Sequence, residues 1–79
     1  LGPEPLGAAL TPAHLRHATR GRKPAIKQLL LDQRVVAGLG NIYVCEALWR
    51  AGIDPRKPAG RVTGPQLARL VPAIRAVLE

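Results

Sequence analysis

The chain has 79 residues, 47% hydrophobic and only 3% aromatic, and a net charge of +7. This describes one small globular domain with an aliphatic core, burying roughly 60% of the surface that its unfolded form exposes. So few aromatics count against a stacking platform for single-stranded bases, and twelve Lys and Arg against five Asp and Glu favour an anionic partner, nucleic acid before an acidic protein or a membrane surface.

Residues 1–10 are rich in Gly and Pro and read as a piece of linker, an extended lead-in whose last residues dock. The chain contains no Met and starts without one, so it reads as a piece of something larger. The amino terminus has no charged n-region and is no signal peptide. No apolar run is long enough to span a bilayer, so no membrane association is expected.

A domain over residues 11–79 follows. Thr11-Pro12 opens a first helix, Thr as N-cap and Pro at the first helical position. Leu15 and Ala18 form its thin apolar stripe, and Arg16, His17 and Arg20 its basic side, with Gly21 able to stop it in the left-handed conformation. A second helix starts at Pro24, carries Ala25, Ile26, Leu29 and Leu30 at helical spacing, and ends over Asp32-Gln33-Arg34.

Val35-Val36-Ala37-Gly38-Leu39-Gly40-Asn41 is too short for a paired strand and reads as two consecutive turns, with Gly38 and Gly40 free to adopt positive φ. Asn41 then caps a third helix, whose buried face is expected to hold Ile42, Cys45, Leu48 and Trp49. Gly52 and Ile53 suit a Schellman ending. After a polar connector over 54–62, Thr63 and Gln66 make a capping box. Leu67, Leu70, Val71, Ile74, Val77 and Leu78 then give the cleanest amphipathic pattern in the chain, with a kink expected at Pro72. The fold class is all-α: four helices, no sheet.

Gly38-Leu39-Gly40-Asn41-Ile42-Tyr43 carries the chemistry. Glycines just before a helix leave N–H groups exposed, and the helix dipole adds positive charge there, which together suit a phosphate. Asn41 can cap the helix or offer its amide, and Tyr43 can donate a hydroxyl. The plainer alternative is an ordinary interhelical turn with a capping Asn. Lys23 and Lys27, beside Arg22, shift the balance: cations flanking bare amides favour the DNA backbone, where contacts position a duplex without reading bases. The phosphate-binding candidates are Lys23, Lys27, Gly40, Asn41 and Tyr43.

No catalytic residue and no metal site is expected. The five acids are scattered and Ser is absent. Cys45 is a single thiol expected in the core, as Trp49 is, and His14 and His17 lack a third ligand and read as a basic helix face.

Three stretches, Ala25 to Gln33, Val36 to Tyr43 and Glu46 to Pro55, closely resemble the helix–two-turns–helix segment of bacterial formamidopyrimidine-DNA glycosylase. Leu1-Gly2-Pro3-Glu4-Pro5-Leu6 looks like that family's interdomain linker. The resemblance spans nearly the whole chain and is strongest over 23–55. It implies base-excision repair: removal of oxidised purines (8-oxoguanine, formamidopyrimidines), then nicking of the abasic site through an imine on an amino-terminal proline. It implies duplex DNA as partner, a monomer, and the bacterial cytoplasm and nucleoid as location. Family phosphate contacts carry over to Lys23, Lys27 and Asn41, with Gly40 and Tyr43 as neighbours of the same phosphates.

The chain begins at Leu1, without the family's Pro-Glu-Leu-Pro amino terminus. The catalytic β-sandwich and the four-cysteine zinc finger have no counterpart in it. The expectation is therefore a DNA-binding module from an enzyme, inactive alone and without cofactor, the family's one structural zinc lying in a missing domain. The alternative is an independent helix-hairpin-helix-type or ribosomal nucleic-acid-binding protein, which the Gly-Leu-Gly turn alone would allow.

Overall fold

The computed structural model describes residues 1–79. Four helices form, α1 (Pro12–Thr19), α2 (Ile26–Leu31), α3 (Asn41–Ala51) and α4 (Gly64–Leu78), with a 3₁₀ turn at Ala59–Arg61. No strand forms; Ala25 and Pro58 make one isolated antiparallel bridge. None of the helices is long and apolar enough to cross a membrane.

The ends of the helices follow their local chemistry. Thr11 Oγ1 accepts the His14 N–H at 3.1 Å and caps α1, and Gly21, at φ 67, turns the chain away after it. Thr63 caps α4: its hydroxyl accepts the Gln66 N–H at 3.3 Å, while Gln66 Oε1 accepts the Thr63 N–H at 3.0 Å. Gly52, at φ 72, ends α3, and the Ile53 N–H returns to the Leu48 carbonyl at 2.9 Å with Ile53 buried behind it. α4 continues through the exposed Pro72 to Leu78.

Two helix starts differ from expectation. α2 begins at Ile26, not Pro24, because Pro24 and Ala25 pair instead with the connector: the Ala59 N–H donates to Pro24 O and the Ile26 N–H to Lys57 O, both at 2.8 Å. Gly40, not Asn41, takes the N-cap position of α3.

A single core of twenty buried apolar residues unites the elements. α3 and α4 run antiparallel: Arg69 Nε donates to the Ala51 carbonyl at 3.2 Å, and Val77 lines a groove that reaches Asn41 and Ile42 at the start of α3. The face that α3 buries is Val44, Ala47, Leu48 and Ala51. Of the expected stripe only Leu48 is inside, while Ile42 and Trp49 are 79% and 77% exposed. Small side chains at 47 and 51 let the two helix backbones approach, and the larger residues are left outside.

Leu70 is fully buried on α4. Leu70→Ala is expected to cost about 2–5 kcal/mol in a denaturant melt; a loss well under about 1 kcal/mol would contradict this packing.

Candidate nucleic-acid interface

The path from α2 to α3 is a double turn held from within and without. The Asp32 carbonyl accepts from the N–H groups of Val35 (2.9 Å) and Val36 (3.2 Å), and Asp32 Oδ1 accepts from the Arg34 N–H at 2.9 Å. Gln33 Oε1 accepts from the Gly38 N–H at 2.7 Å, tying the first turn to the second. Val35, Val36 and Leu39 are buried beneath.

The amino-terminal segment packs over the same turns, the Gly2 N–H donating to Gln33 O at 2.7 Å and the Ala37 N–H to Pro3 O at 2.9 Å. A Cβ on Gly2 would stand 2.5 Å from the Arg34 carbonyl oxygen, so only glycine fits there. His14, expected on a basic helix face, instead reaches the turn: its Nε2–H donates to the Val35 carbonyl at 2.7 Å. Gly38, at φ 72, supplies the left-handed reversal that leads into α3.

This framework presents the first turn of α3. The N–H groups of Gly40, Asn41, Ile42 and Tyr43 donate to no protein acceptor, and the first helical bond runs from the Val44 N–H to Gly40 O at 3.0 Å. All four residues are exposed, and the Asn41 amide and Tyr43 hydroxyl are unengaged. Gly40 is extended, at φ −84, so the expected positive φ occurs at Gly38 alone of the two. A Cβ on Gly40 would meet nothing nearer than Tyr43 Cδ2 at 3.9 Å. Neither backbone strain nor crowding within the fold requires glycine there.

Gly40, Asn41 and Tyr43 thus come together. Lys23 and Lys27 lie on the α2 side, where their backbone is held by the connector: Arg22 O accepts from the Gly60 N–H at 2.8 Å and Pro55 O from the Lys27 N–H at 3.1 Å. Lys57 donates its ammonium to Gln66 Oε1 at 3.0 Å, whereas those of Lys23 and Lys27 make no hydrogen bond or ion pair within the fold.

Beside Asn41 and Tyr43 opens a groove of about 590 Å³, lined with Ile42, Cys45, Trp49 and Val77. Cys45 and Trp49 are therefore not core residues, as the sequence suggested, but part of an exposed apolar face. The signal that could have found it is Ala47 and Ala51, one turn apart in line with Val44, marking the close-packed side of the helix.

The acids are largely spent on local arginines: Asp32 on Arg34 (2.8 Å), Glu46 on Arg50 (3.3 Å) and Asp54 on Arg56 (3.1 Å). The Arg34 guanidinium, followed by the Arg34 N–H, holds the Asp32 carboxyl down from 3.8 to about 2, and Arg56 lowers that of Asp54 in the same way. No three His, Cys, Asp or Glu side chains gather where a metal could be held.

Four helices that present a bare helix N-terminus behind two successive turns make a helix–two-turns–helix domain. The family described as "Formamidopyrimidine-DNA glycosylase H2TH domain" matches residues 1–79, and the chain belongs to it. The formamidopyrimidine-DNA glycosylases of Erythrobacter litoralis and Novosphingobium aromaticivorans are 67% and 63% identical over 79 residues, all of this chain but 29% of each relative. The MutM (Fpg) protein of Thermus thermophilus superposes with a TM-score of 0.92 at 45% identity, covering 99% of this chain and 29% of that one. Lactococcus lactis Fpg, solved in complex with abasic-site DNA, gives 0.90 at 38% identity, again over 99% and 29%. The chain thus spans under a third of these relatives, and the match over its whole length leaves the ribosomal and independent helix-hairpin-helix alternatives without support.

Asp32 carries an acid prediction. Because its folded carboxyl titrates near 2 rather than 3.8, its contribution is complete above about pH 4 and is lost as pH falls toward 2. Urea midpoints taken between these pH values should fall less steeply for Asp32→Asn than for the wild type. Identical acid profiles would contradict the role of this carboxylate in the turn.

Proposed function

We propose that this domain grips the sugar–phosphate backbone of duplex DNA within a base-excision-repair DNA glycosylase and AP lyase that removes oxidised purines. Residues 1–10 serve as the interdomain linker and 11–79 as the gripping domain. The catalytic amine and the structural zinc belong to other parts of the longer polypeptide, a monomer of the bacterial cytoplasm and nucleoid. Family membership over the whole chain and the DNA complexes of its structural relatives support this reading.

One observation carries it: four unpartnered N–H groups at Gly40–Tyr43 surround a glycine that the fold itself does not need. A missing side chain at that point serves an incoming group that must approach the backbone closely. A phosphate oxygen meets the amides and the positive end of the α3 dipole together. The Asn41 amide and the Tyr43 hydroxyl add donors to the same phosphate or its neighbour. Lys23 and Lys27 supply charge along the adjacent backbone, and every such contact is indifferent to sequence. The module therefore positions the duplex, while lesion recognition and chemistry occur elsewhere in the protein.

Gly40→Ala in the complete polypeptide should weaken duplex binding tenfold or more while changing folding stability by less than about 1 kcal/mol. Gly38→Ala should show the opposite emphasis, costing about 1–2 kcal/mol because a Cβ strains its left-handed backbone. Fluorescence anisotropy with a labelled duplex, paired with denaturant melts, separates the two. Unaltered affinity in Gly40→Ala would overturn the cradle.

With the Lys23 and Lys27 ammoniums at the backbone, binding should also weaken with salt. Lys23→Gln should flatten the slope of log affinity against log salt by about 0.9. A slope unmoved by that change would remove Lys23 from the interface.

A further inference from the structure

The nine arginines divide sharply. Arg34, Arg50 and Arg56 pair with acids, Arg69 donates to the Ala51 carbonyl, and Arg75 donates to the carbonyls of Gly7 (3.2 Å) and Leu10 (2.8 Å). The guanidiniums of the other four, Arg16, Arg20, Arg22 and Arg61, make no hydrogen bond or ion pair. Three of the four, Arg16, Arg20 and Arg61, gather in one place. The Gly60 N–H donates to Arg22 O at 2.8 Å, drawing the α1–α2 turn against the 3₁₀ turn. Arg16, Arg20 and Arg61 line one cavity of about 320 Å³ there, closed by Thr63 and Gly64 at the start of α4.

The arrangement is electrostatically unfavourable as it stands. No Asp or Glu lines the cavity. Arg16 Nη1 stands 3.0 Å from where a Cβ on Gly64 would be, placing a cation at the positive end of a 15-residue helix. Three like charges and that helix end are mutually repulsive, and the fold offers them no counter-charge. An oxyanion in the cavity relieves every one of these repulsions, and guanidinium forks match phosphate oxygens two at a time.

We propose that this cavity is a second anion site, taking a phosphate-type oxyanion between Arg16, Arg20 and Arg61. It lies at the opposite end of α4 from the groove beside Asn41. Gly64 borders one and Val77 the other, about 20 Å apart at 1.5 Å per helical residue. The site thus stands independently of the cradle at α3. Its phosphate comes either from a stretch of nucleic-acid backbone beyond that cradle or from a free phosphate.

The test uses the complete polypeptide that carries this domain. The Nε–Hε resonances of Arg20 and Arg61, assigned with R20Q and R61Q, are followed as inorganic phosphate replaces chloride at constant ionic strength. Saturable shifts with phosphate and none with chloride are expected, and they should vanish for the remaining arginine in each single variant. In a second arm, duplex binding is measured across salt for the wild type, Gly40→Ala and the R20Q/R61Q double variant. A slope flatter by about 0.9 in the double variant identifies a backbone phosphate as the occupant. An unchanged slope with saturable phosphate shifts identifies a free phosphate. Equal responses to phosphate and chloride, together with an unchanged slope, would overturn the site. A Gly40→Ala variant of normal affinity bears on the α3 cradle alone.

Discussion

The double turn between α2 and α3 is the constraint on which the rest depends. In nine residues, 32–40, the chain must reverse, bury three apolar side chains and release a helix N-terminus to solvent. Burying Val35, Val36 and Leu39 fixes the turn from below, but a buried turn leaves backbone groups to satisfy. Asp32, Gln33, His14 and the backbone at Gly2 and Pro3 meet that demand from three different parts of the chain. The amides that follow, Gly40 to Tyr43, are left unserved. The N–H groups from Arg34 to Gly38 are all engaged and those from Leu39 to Tyr43 are not, and that contrast is what the proposed ligand site at the first turn of α3 rests on.

The α3–α4 contact has the same two-sided character. Ala47 and Ala51 allow close approach, with Val44 and Leu48 filling the seam. Turning that face inward rotates Ile42, Cys45 and Trp49 outward, so a well-packed seam and an exposed apolar groove are two consequences of one helix rotation. The groove opens beside Asn41 and Tyr43. The proposed phosphate cradle therefore sits on a ridge between a polar turn and an apolar surface.

Much of this was legible in the sequence wherever one residue type has one physical use. Thr11, Gly21, Gly52 and the Thr63–Gln66 pair marked helix ends correctly because capping is local chemistry, decided within four residues. The two-turn reading of 35–41 held because so few residues leave no room for a paired strand. The α3 face was misread because hydrophobicity was weighed by size: Trp49 and Ile42 have far more apolar area than two alanines, while helix packing favours the alanines. His14 and the α2 start were missed for another reason. Each depends on a partner more than twenty residues away, Val35 for the imidazole and the 57–59 connector for Pro24 to Ile26, and no local pattern announces such contacts.

Charge follows the same logic of local against distant. Asp32 and Asp54 meet arginines two residues later, and Glu46 meets one four residues later, so these carboxylates are paired chiefly with sequence neighbours. Such exposed pairs contribute little to stability. Their larger effect is to cancel charge over α3 and the flanking turns, leaving the positive excess on the α1–α2 side of the molecule. A chain of +7 could spread that excess evenly and stay soluble. Here Arg16, Arg20 and Arg61 gather around one cavity, beside the N-terminus of the longest helix, with no acid lining it. That concentration lowers the stability of the isolated fold, and an anion bound among these side chains offsets it.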